Sequence, residues 1–314
     1  MHSRLTNKNY RIYLIRSWLK FIATCQSFYF GFILAYSTIS LVVAANAADF
    51  IDNDKGITIA GTFVDGDYKK FENLLVTRSN EGRPTRGVTL VSHGGDIKTA
   101  LAIGRLIRKN WLVTNTLGTL AMSDRVFSCS DRAPPEIIKK WNGQCTCDSA
   151  CFLVWASGIN RFSMDGILGI HRPYFGTLSA DNLSKPETGN SYVQITDELR
   201  NYLREMNIPD PFFEIMMSKN STEVYRLSQA ELDQLELSPL YEEAIIKTCG
   251  RIADKVPELK EAEDRDIALA VYNYENNSKF VLTPEDQNLV SEWKSLLACQ
   301  QKVLVDAQDH LQKQ

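Results

Sequence analysis

The sequence predicts an α/β fold, on three observations. Gly87–Ser92 (Gly-Val-Thr-Leu-Val-Ser) is a short β-branched run of the kind buried in a sheet. A break at His93-Gly94-Gly95-Asp96 follows it, and then a helical pattern of apolar residues. Trp111–Thr116 reads as a further strand after that helix, so strand and helix alternate.

Taken in order, Ile57–Phe63 alternates apolar and small residues and reads as a strand, and Asp65–Leu75 as a helix. After the glycine break, Ile97, Leu101, Leu106 and Ile107 recur at helical spacing, with Ala100 and Ile103 on the same face. Leu117–Gln144 carries Pro134-Pro135 and little periodicity, and is expected to be an insertion. Ser149–Ser157 is almost wholly apolar and too short to span a membrane. It predicts a buried helix ending at Gly158. Arg161–Met164 and Ile167–Ile170 are expected to pair like a hairpin about Asp165-Gly166. Thr177–Ser191 is polar and loop-like, whereas Thr196–Met206 and Pro211–Met217 are amphipathic. Val224–Leu227 reads as a short strand, and Ser228 with Glu231 forms a capping box for the next helix. From Leu240 to Gln314 the pattern is helical and rich in Lys, Glu and Gln.

The first 47 residues differ from the rest. They hold Arg4, Lys8, Arg11, Arg16 and Lys20 and no acidic residue, then an uncharged stretch from Phe21 that ends Ala45-Asn46-Ala47. A basic start, an apolar run and an A-x-A site make a secretory signal peptide cleaved after Ala47. The length of the run keeps an uncleaved membrane anchor as the competing reading. Either places the folded part outside the cytoplasm, in the periplasm for a bacterial chain. Without this segment Lys+Arg falls from 35 to 30 against 38 acidic residues, a net charge near -8 that argues against nucleic acid as a partner.

Six cysteines then remain: Cys129, Cys145, Cys147, Cys151, Cys249 and Cys299. An even number in an exported chain points to disulfides, with fifteen complete pairings open. The expected set joins Cys129 to Cys145, Cys147 to Cys151 across the first turn of a helix, and Cys249 to Cys299 between C-terminal helices. Cys145-x-Cys147-x3-Cys151 has two other readings, a metal cluster or a nucleophilic thiol. It lacks the paired knuckles and fourth ligand of a zinc site, and an oxidising compartment favours bridges.

Chemistry concentrates at Cys147-Asp148-Ser149-Ala150-Cys151, with His171 in Gly169-Ile170-His171-Arg172-Pro173 downstream. Serine is a weak nucleophile until a base takes its proton, and a helix start after it aims free N–H groups at a developing oxyanion. The bland alternatives are a serine that only caps a helix and a structural histidine at a strand end.

Ser92-His93-Gly94-Gly95-Asp96, Asp148-Ser149-Ala150, the strand ending His171-Arg172-Pro173 and the Leu227–Leu237 segment, in that order, resemble the Clp protease proteolytic subunit within the wider ClpP/crotonase fold. The C-x-S-A-C pattern behind a secretory signal looks like an exported, Clp-protease-like periplasmic branch. The resemblance covers roughly residues 55–238, with an insertion at about 117–146, and leaves 239–314 as a helical C-terminal extension. It implies repeated β-β-α units. Ser149 would be the nucleophile and His171 the general base, with the N–H groups of Gly95 and Ala150 as the oxyanion hole. It implies no cofactor or metal, a peptide or acyl substrate, and a homo-oligomer. A membrane enters only if the N-terminal segment stays as an anchor.

Departures from the family are expected to matter. The slot of the acid that orients the histidine holds Val224. Its neighbour Glu223 would serve only if the register shifts by one, which also turns a strand side chain to the other face. His93 replaces a proline. An ATP-driven unfoldase has no ATP outside the cytoplasm. The expected function is therefore an exported, unfoldase-independent serine hydrolase, peptidase-like, working through an acyl-enzyme. The rival is a crotonase-fold scaffold or binding protein that has lost catalysis. Acyl-CoA chemistry on the same fold is a third reading with no feature of its own.

Overall fold

The computed structural model describes residues 47–54, 56–116, 145–173, 186–220, 223–251 and 284–313. The chain divides into two units, Met1–Ala44 and Ala45–Gln314, and every described residue belongs to the second. The stretch expected to be a signal segment (apart from Ala47), most of the expected insertion, Cys25 and Cys129 lie outside the described residues. Among the described residues no helix is long and apolar enough to cross a membrane.

The fold is mixed α/β, built on two sheets. The larger has the order β1 (Asp49–Asp52), β2 (Gly56–Ala60), β3 (Gly87–Val91), β4 (Val113–Thr116) and β6 (Arg161–Phe162). From β2 to β6 it is parallel, with β1 antiparallel at the edge. A parallel sheet needs crossovers. Helix α1 (Asp67–Asn80) supplies the one between β2 and β3, and α2 (Ile97–Lys109) the one between β3 and β4. Ile57, Ile59, Val88 and Leu90 are fully or almost fully buried, as are Ala100, Leu101, Ile103 and Ile107 of α2. The Asp96 carboxylate caps α2 by accepting from Thr99 N–H (2.8 Å).

The smaller sheet joins β5 (Cys147–Asp148), β7 (Leu168–Ile170) and β8 (Tyr225–Arg226). The expected hairpin at Asp165-Gly166 is therefore not one. β6 pairs with β4 in the larger sheet and β7 with β5 in the smaller, so the turn carries the chain from one sheet to the other. Local sequence marks a turn but not which sheet each arm joins. Between β5 and β6 runs α3 (Ala150–Ala156), whose seven residues are all buried. A helix that is apolar all round belongs at the centre of a core. Here α2 packs on it, and Tyr202 donates its hydroxyl hydrogen to Leu153 O (2.8 Å).

Helix α4 (Pro186–Glu205) begins inside the stretch expected to be a loop, and α5 (Asp210–Ser218) follows it. Two arginines tie the helix ends together. Arg161, 2% exposed, donates to Ala156 O (3.0 Å), Met206 O (3.2 Å) and Leu237 O (3.1 Å). Arg108 donates to Ser157 O (2.8 Å) and Gly158 O (3.2 Å). All of these carbonyls except that of Leu237 close α3 and α4, where a helix leaves acceptors unpaired and carries partial negative charge. Burial, and then the charge of Arg108, pushes Arg161 down to about 9.

The capping box of Ser228 and Glu231 opens α6 (Gln229–Asp233) as expected. Helices α7 (Pro239–Cys249) and α8 (Pro284–Leu311) are joined by the Cys249–Cys299 disulfide, as the sequence leads one to expect. Helix α8 docks through glutamines. Gln308 donates to Arg86 O (2.9 Å) and Trp111 O (2.8 Å), while Gln312 donates to Thr85 O (2.7 Å) and accepts from Thr85 N–H (2.8 Å). They satisfy backbone groups where the chain enters β3 and β4.

Candidate active site

Three segments that are far apart in sequence run side by side here. β3 continues through Ser92, which bridges Cys147: Ser92 N–H donates to Thr146 O (3.1 Å) and Asp148 N–H to Ser92 O (2.8 Å). On the other side of β5, Cys147 N–H donates to Ile167 O (3.1 Å) and Ser149 N–H to Gly169 O (2.8 Å). Ser149 thus stands between the glycine segment that follows β3 and the strand that leads to His171.

Ser149 has φ 58 and ψ -120, a conformation a side-chain-bearing residue rarely takes. It makes the sharp strand-to-helix turn that lifts a hydroxyl off the end of a sheet. The hydroxyl is not spent on capping α3, so the bland reading of this serine as an N-cap does not hold. Gly94 explains how the neighbouring segment fits. A Cβ at Gly94 would lie 2.8 Å from Ser149 Cβ and 3.1 Å from Ala150 N, and Gly94 has φ +106. Only glycine fits at that approach. Gly95 faces the backbone of Phe63, which it bridges. Among the described residues neither Gly95 N–H nor Ala150 N–H is seen to donate to another group.

His171 is 8% exposed. Its Nδ1 donates to Arg172 O (2.9 Å), since a carbonyl can only accept. That selects the tautomer whose basic nitrogen is Nε2. Ser149, Ala150 and His171 line one tight depression of about 10 Å³, walled by Ile97, Leu153, Leu199 and Met216. Glu223 is not brought to them. Its carboxylate is 55% exposed and pairs with Lys219 Nζ (3.3 Å).

The Cys147–Cys151 disulfide spans Ser149, with both cysteines fully buried and Cα atoms 5.1 Å apart. Cys145 is disulfide-bonded as well; Cys129, its expected partner, lies outside the described residues. The thiols of Cys147 and Cys151 are therefore neither ligands nor nucleophiles in this state.

Sequence reasoning missed the polar cluster behind the serine. Asp148, with its side chain 8% exposed, receives hydrogen bonds from both Nη atoms of Arg226 (Nη2 at 3.2 Å), from Thr146 Oγ1 (2.9 Å) and from His93 Nδ1 (3.3 Å). Burial opposes the charged form, but the hydrogen bonds from His93, Arg226 and Thr146 and the charge of Arg226 outweigh it and hold the carboxyl below its usual range. A signal was present in the sequence: an aspartate inside a buried run has to find partners. Which partners could not be read from it.

No family model matches the chain, and no curated protein matches it. Among solved structures it is similar to a point mutant of the 1510-N membrane-bound stomatin-specific protease, at 14% identity and a TM-score of 0.37, over 62% of this chain and 83% of that one.

Proposed function

We propose that this chain is an exported, Clp-protease-like serine hydrolase of the ClpP/crotonase fold, acting on peptides or another acyl substrate without an ATP-driven unfoldase. One observation carries the reading: Ser149 holds the φ 58, ψ -120 elbow, with its hydroxyl uncommitted to capping, in a pocket shared with His171. In this reading Nε2 of His171 takes the hydroxyl proton as Ser149 Oγ attacks the acyl carbon. The N–H groups of Gly95 and Ala150 stabilise the oxyanion, the leaving group departs with the proton from His171, and water then hydrolyses the acyl-enzyme. The apolar side chains of Ile97, Leu153, Leu199 and Met216 stand beside these groups. Periplasmic location and assembly as a homo-oligomer belong to the same proposal.

A fluorophosphonate probe tests it. Wild-type protein is expected to be labelled and Ser149→Ala not. Equal labelling of both, or of neither, overturns the reading. A second reading is a scaffold that has lost catalysis. It is favoured by the pairing of Glu223, the acid beside the expected slot, with Lys219 at the surface; losing an orienting acid costs about 10⁴ in rate in a Ser-His-Asp triad. It predicts that Ser149→Ala and His171→Ala both behave as wild type in the cell.

A further inference from the structure

We infer that the Asp148–Arg226 ion pair is a positioning device for the serine-hydrolase site, holding the nucleophile, base and N–H-donor segments at working distance. The inference rests on the reading above. It starts from Gly169. In register, Asp148 of β5 faces Gly169 of β7, and Gly169 faces Arg226 of β8. Residues that face each other across a sheet project on the same side. Asp148 and Arg226 therefore sit on one face, separated by a strand that has no side chain there. A Cβ at Gly169 would come within 2.8 Å of Arg226 Nη1, and closer still to Asp148 Oδ1. The pair occupies the space a side chain would take, and so bridges the outer strands across the middle one.

That bridge matters because the sheet is small. Its strands are two or three residues long. So few ladder bonds define lateral spacing weakly. A bidentate arginine–carboxylate pair has fixed geometry and adds what the ladder lacks. Arg226 also donates to Ile167 O (3.2 Å), just ahead of β7.

The pair adjoins all three segments of the site. Ser149 is the next residue after Asp148. His171 lies two residues beyond the bridged Gly169. His93, which donates to Asp148 Oδ2, directly precedes Gly94 and Gly95. Asp148 and Arg226 are thus positioning residues, since they act through Ser149 and His171. A displacement of about 1 Å in such a site costs about 10²-fold in rate.

The test separates binding of a fluorophosphonate (KI) from its reaction (kinact), at a temperature where thermal melting shows every variant folded. Asp148→Asn and Arg226→Gln are each expected to lower kinact about 10²-fold, with KI within about twofold of wild type. The double variant is expected to be no slower than the slower single one, because both changes break the same bridge. Should Asp148→Asn fail to fold, Arg226→Lys keeps the charge but loses the bidentate fork, and is expected to lower kinact by at least tenfold. Unchanged kinact in a labelled, folded protein, or single effects that multiply in the double variant, overturns this inference alone. A wild type that is never labelled overturns the hydrolase reading and this inference with it.

Discussion

Two disulfides with both partners described lie in two regions of the molecule, and they do different work. Cys147–Cys151 closes a loop of four residues, is fully buried, and has the elbow serine inside it. Cys249–Cys299 closes a separation of fifty residues between α7 and α8, is half-buried, and lies in the helical layer docked at the start of the larger sheet. A cross-link's effect on the unfolded chain grows with the loop it closes. The long one therefore serves stability. The short one has little entropy to remove, and its effect is local: it ties β5 to the first turn of α3 around a residue in a rarely populated conformation. Geometry is secured in one region and the fold in the other.

The contrast can be broken experimentally. Replacing Cys249 and Cys299 together by alanine is expected to cost about 4 kcal/mol of stability by chain-entropy arithmetic, with fluorophosphonate labelling unchanged. Denaturant unfolding and labelling rates, measured on the same preparation, check this; slower labelling in the folded variant would show that the two regions are coupled. Replacing Cys147 and Cys151 by alanine is expected to cost only about 2 kcal/mol, yet to slow labelling by about tenfold or more as Ser149 loses its hold. A labelling rate equal to wild type would mean that the strand bonds from Gly169 and Ser92 are enough.

The smallest effect concerns acid. The Asp148 carboxyl sits below its ordinary value of 3.8 in the folded protein. The unfolded chain then binds the proton first. The stability this group contributes is complete above about 3.8 and is lost as pH falls through the lower folded value. The melting temperatures of wild type and Asp148→Asn should therefore draw together as the pH is taken down through that window. A constant gap across it would show that the carboxylate is not the source.

Much of this was legible in the chain. Gly87–Ser92, the periodic run of α2 and the apolar Ala150–Ala156 specify their elements locally, because backbone preference and side-chain period agree there. The Ser228–Glu231 box and the Cys147–Cys151 bridge were readable for the same kind of reason, since each joins partners within about one helical turn; Cys249–Cys299 matches the expected pairing although no local pattern specifies it. Ser149 and His171 were readable as a pair, and they line one pocket.

What lay outside the sequence's reach were choices between distant partners. The turn at Asp165-Gly166 looks the same whether its arms pair with each other or enter separate sheets. Glu223 and Asp148 are both acids near the motif, and only the register of β5, β7 and β8 leaves the first at the surface with Lys219 and sets the second beside Arg226. The chain by itself determined most strands and helices, the start of α4 excepted, and where a nucleophile could stand, since those follow from short-range sterics and periodicity. Only the tertiary structure decided which charge meets which, because a buried carboxylate takes whatever donor the packing of remote strands brings within about 3 Å.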